Sequence, residues 1–93
     1  MLQFAFARSF EQSLKAFVPH EKISIQRQMD HFILALEVRR IPSGFGLKKL
    51  GGDLWEIRMD LAIRVLFEWQ KNAVTFLFVG NHNEIHKFLK HYL

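Results

Sequence analysis

The stretch LWEIRMDLAIRVLF, Leu54 to Phe67, predicts two short β-strands joined by a tight bend. Its apolar residues alternate, which is the pattern of strands with one buried face. If residues 60–62 form a three-residue turn, Arg58 lies directly opposite Arg64 on the same face of the sheet. Like charges opposed across a strand pair are destabilising, so this arrangement needs a physical reason.

The segment before this pair predicts one strand and two helices. QFAFAR, Gln3 to Arg8, alternates and is typical of an opening or edge strand. Ser9 with Gln12 three residues later predicts a capping box, so we expect the first helix to begin at Ser9. Pro19 separates this helix from a second one, whose apolar face starts at Ile25.

The segment from Arg39 onward predicts a loop, three or four strands and a tail. Pro42 and two glycines mark the loop at 39–46, and the Gly51–Gly52 pair marks another bend. The run AVTFLFV, Ala73 to Val79, is almost continuously apolar, which indicates a central strand covered on both faces. Residues 81–93 fit a short helix or an extended tail.

This order of elements predicts an α+β fold. We expect two N-terminal helices packed on one face of a mainly antiparallel sheet of four to five strands, in one domain over residues 1–93. The first strand is expected to pair inside the sheet with a late strand, which would cover its edge. The helices are expected to bring these side chains to the core: Phe10, Leu14, Phe17, Met29, Phe32 and Leu36.

Composition narrows the classes of protein that remain. The 93 residues are 49% hydrophobic and include no cysteine, which excludes a disulfide framework and thiolate chemistry. The sequence shows no signal peptide and no apolar run near the roughly 20 residues that span a bilayer, so a cytoplasmic protein is expected. The net charge of +4 is divided equally between residues 1–46 and 47–93, and it is compatible with a nucleic acid or an acidic protein partner.

Charged residues on the sheet face away from the helices form the candidate site. Glu56, Arg58 and Arg64 are expected on that face, His82 just past the end of the last strand, and Lys48 and Lys49 at the nearby edge of the sheet. Two guanidinium groups side by side suit a phosphate, because each offers forked donors and neither loses its charge. If the site cleaves RNA, Glu56 and His82 are the proton carriers, and the two arginines stabilise the charge that develops on phosphorus.

Two alternatives remain open from the residues alone. The arginines also fit solvated strand positions, with Glu56, Asp60 and Glu68 as ion-pair partners. His82 and His86 have the spacing of a zinc pair on a helix, but HNEIH departs from the H-E-x-x-H pattern and no third ligand is evident. We therefore expect no metal and no cofactor.

Three stretches of the chain resemble the RelE/ParE superfamily of bacterial toxins, which are the toxin halves of type II toxin–antitoxin modules. They are FARSFEQSLKAF, GLKKLGGDLWEIRMDLAIRVLF and VTFLFVGNHNEIHKFL, and the resemblance as a whole extends over nearly all of the 93 residues. The resemblance implies an antitoxin partner. For RelE- and YafQ-like members it also implies a metal-independent endoribonuclease (an mRNA interferase) that inhibits translation by cleaving mRNA in the ribosomal A site through 2′-hydroxyl attack.

The resemblance also implies roles for individual residues. Arg58 and Arg64 match cations of the central strands, and His82 matches a histidine of YafQ-like members. His86 stands where those members carry an aromatic residue that stacks on the cleaved base, with Phe88 or Tyr92 as a substitute if the tail folds back. Glu56 departs from the family, because some members carry a lysine there. Lys48 and Lys49 are expected to contribute to RNA binding.

The resemblance leaves other functions open. ParE-like relatives inhibit DNA gyrase and lack the nuclease residues, and an inactive toxin would only bind its antitoxin. Either the Arg58/Arg64 face or the surface of the first two helices is expected to be covered by acidic residues of the antitoxin.

Overall fold

The computed structural model describes residues 1–92, which form a five-stranded sheet and three α-helices. In chain order the elements are β1 (Gln3–Phe6), α1 (Arg8–Lys15), α2 (Pro19–Val38), β2 (Lys48–Gly51), β3 (Leu54–Arg58), β4 (Arg64–Gln70), β5 (Ala73–Gly80) and α3 (His82–Tyr92). One turn of 3₁₀ helix, Ser43–Phe45, precedes β2. Within residues 1–92, no helix is both long enough and apolar enough to cross a membrane.

The strands follow the order β1-β5-β4-β3-β2, with β1 parallel to β5 and the other neighbours antiparallel. The α+β class and the mostly antiparallel sheet are therefore as predicted. Strand β5 has a neighbour on each side, which confirms the central position that its apolar run indicated. Strand β1 does pair with this late strand, but it lies at the edge rather than inside the sheet, because no strand within residues 1–92 pairs with its other side.

The β3–β4 hairpin has the register that the alternating sequence predicted. Arg58 lies opposite Arg64, and Ile57 lies opposite Val65. The carboxylate of Asp60 closes the turn by accepting the N–H groups of Ala62 and Ile63, each at 2.8 Å. Aspartate is favoured at such bends because its side chain satisfies nearby backbone donors.

The main core lies between helices α1 and α2 and one face of the sheet. Phe32 is fully buried, and its ring packs on those of Phe45 and Phe67 at centroid distances of 5.2 and 5.4 Å. Leu14 and Phe17, which were expected in the core, are only partly buried at its margin. The other buried members include Phe10, Ile25, Met29, Leu36, Ile57, Val65, Val74, Phe76 and Val79.

Helix α3 covers part of the opposite face of the sheet. Its Ile85 is buried in a second apolar cluster with Leu54, Leu66 and Leu77. These three strand residues are apolar on the face away from α1 and α2, so they need a cover of their own. The part of this face that stays open lies where β3 ends and β4 begins.

Helix α1 begins one residue earlier than predicted, at Arg8, and the expected capping box at Ser9 is wrong. The Ser9 hydroxyl instead donates to the Leu77 carbonyl at 2.6 Å. The Ser13 hydroxyl accepts the Val79 N–H at 3.0 Å and donates to the Phe10 carbonyl at 2.8 Å. The two serines therefore satisfy backbone groups of β5 beyond the point where β1 stops.

Helix α2 begins at Pro19, six residues before the apolar face that predicted it. Proline suits the first turn of a helix because its missing N–H would have no partner there. The Glu21 carboxylate accepts the N–H of Val18 at 3.3 Å and completes this start. The helix start was missed because its first turn lies outside the apolar repeat.

Candidate functional site

A shallow cavity of about 340 Å³ opens where β3 ends, β4 begins and α3 begins. It is lined by Gly46, Lys48, Leu50, Glu56, Arg58, Arg64, His82 and His86. The structure therefore brings together six of the sequence-predicted site residues. Gly46 and Leu50 were not singled out from the sequence, and the only signal for Gly46 was its place in a glycine-containing loop.

Sheet register places the charged side chains around this cavity. Lys48 on β2 lies opposite Glu56 on β3, and Arg58 lies opposite Arg64. Residues of one strand that are two apart share a face, so Glu56 and Arg58 face the same side. Arg64 in turn lies opposite Gly80 on β5, and α3 starts two residues later at His82.

The cavity is cationic, with one internal ion pair. It holds three Lys or Arg side chains and one carboxylate. Glu56 Oε1 lies 3.5 Å from Arg64 Nε, and the two side chains are 16% and 23% exposed. Among residues 1–92, no carboxylate lies within 4.0 Å of Arg58, which is exposed. Glu56 thus relieves part of the repulsion between the opposed arginines, and Arg58 keeps its charge available to a ligand.

The two histidines lie on the first turns of α3. Their ring centroids are 4.3 Å apart in an edge-to-face arrangement, and both residues are exposed. The Asn81 and Glu84 side chains fix this end of the helix, because each accepts the backbone N–H of the other, at 2.9 and 2.8 Å. Within residues 1–92, no three His, Asp or Glu side chains are grouped so that they could hold a metal ion.

Two sequence-predicted residues lie away from the cavity. Lys49 is opposite Trp55, with its Nζ 5.8 Å from the centroid of that ring, because neighbouring residues on a strand point to opposite faces. Phe88 stacks on Phe78 at 4.9 Å and on Tyr92 at 5.5 Å, as part of the apolar contact between α3 and the sheet.

Tyr92 fastens the last turn of α3 to the sheet. Its hydroxyl donates to Glu68 Oε2 on β4 at 3.3 Å. Partial burial, together with the negative charge of Glu68 and this hydrogen bond, raises the pKa of Tyr92 above its usual value. The helix that carries both histidines is therefore held at its two ends by polar contacts.

No family model matches the sequence, and no curated protein gives a significant match. Solved structures do match. The E. coli DinJ–YafQ toxin–antitoxin complex matches with a TM-score of 0.73 and 11% identity, over 90% of this chain and 96% of that chain. A metal-bound toxin from Helicobacter pylori matches with a TM-score of 0.70 and 16% identity, over 91% of this chain and 99% of that chain. The RelB–RelE complex of Methanococcus jannaschii matches with a TM-score of 0.67 and 18% identity, over 90% of this chain and 96% of that chain.

Proposed function

Because the chain has the fold of the RelE and YafQ toxin structures, we propose that it is the toxin of a type II toxin–antitoxin system. We propose further that it is a ribosome-dependent, metal-independent mRNA endoribonuclease that inhibits translation. The observation that carries this proposal is the cavity that places Arg58, Arg64 and His82 together.

In this proposal the scissile phosphate binds between Arg58 and Arg64. Each guanidinium offers forked N–H donors that match phosphate oxygens. Lys48 adds a third positive charge on the same side of the sheet. A bound phosphate would remove the repulsion that remains between the arginines, which gives a reason for their pairing.

Cleavage proceeds by attack of the ribose 2′-oxygen on phosphorus. The bond between that oxygen and phosphorus forms and the bond to the 5′-oxygen breaks, leaving a cyclic phosphate and a 5′-hydroxyl. A base must take the 2′ proton, and an acid must protonate the leaving oxygen. Glu56 and His82 are our candidates for these two roles, and the arginines stabilise the charge on the transition state.

His86 is proposed to contact the base beside the cleaved phosphate. It lies one helical turn after His82, and its ring is exposed beside the cavity. An imidazole ring offers a flat face on which a splayed-out base can stack, as aromatic side chains do in RNA recognition. Phe88 is less suited to this role because its ring is already stacked between Phe78 and Tyr92.

We also propose a neutralising antitoxin whose acidic residues cover the Arg58/Arg64 cavity. The matching structures include complexes of a toxin with its antitoxin, DinJ with YafQ and RelB with RelE. A carboxylate of the antitoxin can pair with Arg58 in the same forked geometry as a phosphate. The affinity of this complex is therefore expected to fall as salt increases.

Expression of this protein alone in a bacterial host tests the nuclease directly. We expect growth arrest, and primer extension on an abundant mRNA should show cuts within the reading frame. The cuts should disappear when the start codon of that mRNA is removed, because cleavage would require a translating ribosome. Arrest with intact mRNA would favour inhibition of gyrase, and absence of arrest would favour an inactive toxin that only binds its antitoxin.

Single substitutions connect this activity to the cavity. Arg64→Ala and His82→Ala should each reduce cleavage by about 10²- to 10⁴-fold, with circular dichroism confirming that both variants fold. Lys48→Ala should weaken RNA binding, and Lys49→Ala is its matched control because the two lysines are neighbours on opposite faces of β2. Full toxicity of both the Arg64 and the His82 variant would contradict the nuclease proposal.

A further inference from the structure

We propose that Gly46 is a positioning residue for Arg58: its missing side chain leaves the space that the Arg58 guanidinium occupies beside the cavity. The placement rests on geometry alone, and its effect on RNA rests on the function proposed above. Gly46 belongs to the loop before β2, and Arg58 is the last residue of β3, so the contact joins two separate parts of the chain.

While the Arg58 guanidinium occupies its observed position, it leaves no room for a Cβ atom on Gly46. A Cβ atom built on Gly46 would lie 2.5 Å from Nη2, 3.0 Å from Nε and 3.2 Å from Cζ of Arg58. Approaches this close are repulsive, so the guanidinium would have to move. The Gly46 backbone has a φ of +54°, in the left-handed region, and its N–H donates to the Ser43 carbonyl at 3.0 Å. This hydrogen-bonded turn holds the glycine in place.

Arg58 needs such a support because little else defines its position. It is exposed, and no carboxylate in residues 1–92 lies within 4.0 Å of it. An arginine side chain has a high rotamer entropy, part of which is lost when it binds an anion. Arg58 also lines a second shallow cavity, together with Gln28 and His31, which offers its side chain another place to lie. The space that Gly46 leaves free, where a Cβ atom would otherwise lie, lets the guanidinium stay beside the first cavity.

The chain contains a matched control for the backbone strain of a substitution. Gly52 has the same φ of +54°, but a Cβ atom there would have nothing within 4 Å. Gly46→Ala and Gly52→Ala therefore introduce similar strain, and only the first displaces Arg58. Gly46→Asn and Gly52→Asn form a second pair in case the alanine variants fold poorly, because asparagine tolerates the left-handed region better.

The test measures binding of a single-stranded 2′-O-methyl RNA, which cannot undergo 2′-hydroxyl attack, by fluorescence anisotropy at several salt concentrations. We expect Gly46→Ala to weaken binding about tenfold, as loss of one charged hydrogen-bonded contact would. The slope of log affinity against log salt should flatten by about 0.7, as it should for Arg58→Ala. Gly52→Ala should bind like the wild type and keep its slope.

A double variant separates positioning from a general loss of structure. Gly46→Ala should have no further effect on RNA binding in an Arg58→Ala background, because the group through which it acts is absent. Equal losses in the Gly46 and Gly52 variants would overturn the proposal. So would a loss for Gly46→Ala that persists without Arg58.

Failure of the proposed function would give a different result. If the wild type and Arg58→Ala bind RNA equally, Arg58 takes no part in RNA binding. The positioning claim is then decided by the ¹⁵N–¹H NMR signal of Arg58 Nε. That signal should shift in Gly46→Ala and stay in place in Gly52→Ala, and an unchanged signal in both would refute the contact.

Discussion

Glu56 shows at the scale of single residues how one side chain serves two neighbours. It lies opposite Lys48 in the sheet and 3.5 Å from Arg64. In the protein without ligand, its charge offsets those of the cations around it. When a phosphate binds Arg64, the same carboxylate competes with the phosphate. In the proposed reaction Glu56 is also a candidate base. Its carboxylate is therefore expected to weaken RNA binding and to speed RNA cleavage.

Glu56→Gln separates these effects. We expect RNA to bind several-fold more tightly, because the competing charge on Arg64 is gone. We expect the cleavage rate of bound RNA to fall about 10²- to 10⁴-fold, because an amide does not accept the 2′ proton. Single-turnover kinetics measure both quantities. The control is Glu68→Gln, because Glu68 is a β4 carboxylate that lies outside the cavity. Normal cleavage by Glu56→Gln would leave His82 as the candidate base.

Helix α1 illustrates at the scale of elements how side chains take the place of a strand. Strand β1 supplies backbone partners to β5 only as far as the Phe6–Phe76 pair. Ser9 and Ser13 then satisfy the Leu77 carbonyl and the Val79 N–H from the helix. This contact fixes α1 on the edge of β5, next to the main core.

Ser13→Ala should lower the free energy of unfolding by about 1–3 kcal/mol, because it leaves the Val79 N–H without its partner. Urea unfolding followed by tryptophan fluorescence measures this change. Ser24→Ala is the control, because Ser24 is exposed on α2 and its hydroxyl only accepts a long 3.4 Å hydrogen bond from Gln28. Equal stability of the two variants would show that water satisfies the β5 amide as well as Ser13 does.

The contact between α3 and β4 should weaken in alkali. Tyr92 is the only tyrosine of the chain, and its pKa is raised in the folded protein. Its contribution to stability is present below the unfolded-state pKa of about 10 and is lost as pH rises through the folded-state pKa. Ultraviolet titration of tyrosinate should show a lower pKa in Glu68→Gln. An unchanged value would mean that Glu68 does not affect Tyr92.

Local sequence patterns were sufficient to predict elements whose signals are short-range. Alternation gave the β3–β4 register, including the opposed arginines, and a continuous apolar run gave the central position of β5. Contacts between distant segments were not predictable in this way. The local pattern predicts a capping box at Ser9. The hydroxyl instead bonds a β5 carbonyl 68 residues away in sequence, which a local pattern does not show.

The same limit applies to the candidate site. The sequence predicts that Lys48 and Lys49 both contribute to RNA binding, but strand geometry directs the two side chains to opposite faces. The contact between Gly46 and Arg58 depends on how a loop crosses the end of β3. A sequence pattern contains no information about that path, so the role of the glycine became visible only in three dimensions.

At the scale of the whole molecule, the fold concentrates a charge that the sequence distributes evenly. Residues 1–46 and 47–93 carry the same net charge. In the folded chain, however, three cations from three different strands surround one cavity: Lys48, Arg58 and Arg64. Anions are therefore attracted to one place on the surface rather than to a basic tail.

This concentration predicts the salt dependence of RNA binding. With three phosphate-binding cations, log affinity for single-stranded RNA should fall with log salt at a slope of about −2. Lys48→Ala should reduce the slope by about 0.7, and Lys49→Ala should leave it unchanged. Binding titrations at about four or five salt concentrations measure these slopes. Identical slopes for both lysine variants would place the RNA outside this cavity.

The pairing of the first strand with the last has a consequence for how the chain is made. Gln3 pairs with Ala73, about 70 residues later, so β1 is synthesised long before its partner strand β5. Phe4 and Phe6 are synthesised before Phe76, on which both rings stack in the folded protein. His82 and His86 are synthesised later still. A nascent chain therefore lacks the complete cavity until His86 has been synthesised, so the ribosome that makes this protein does not meet the complete site while the earlier elements are being translated.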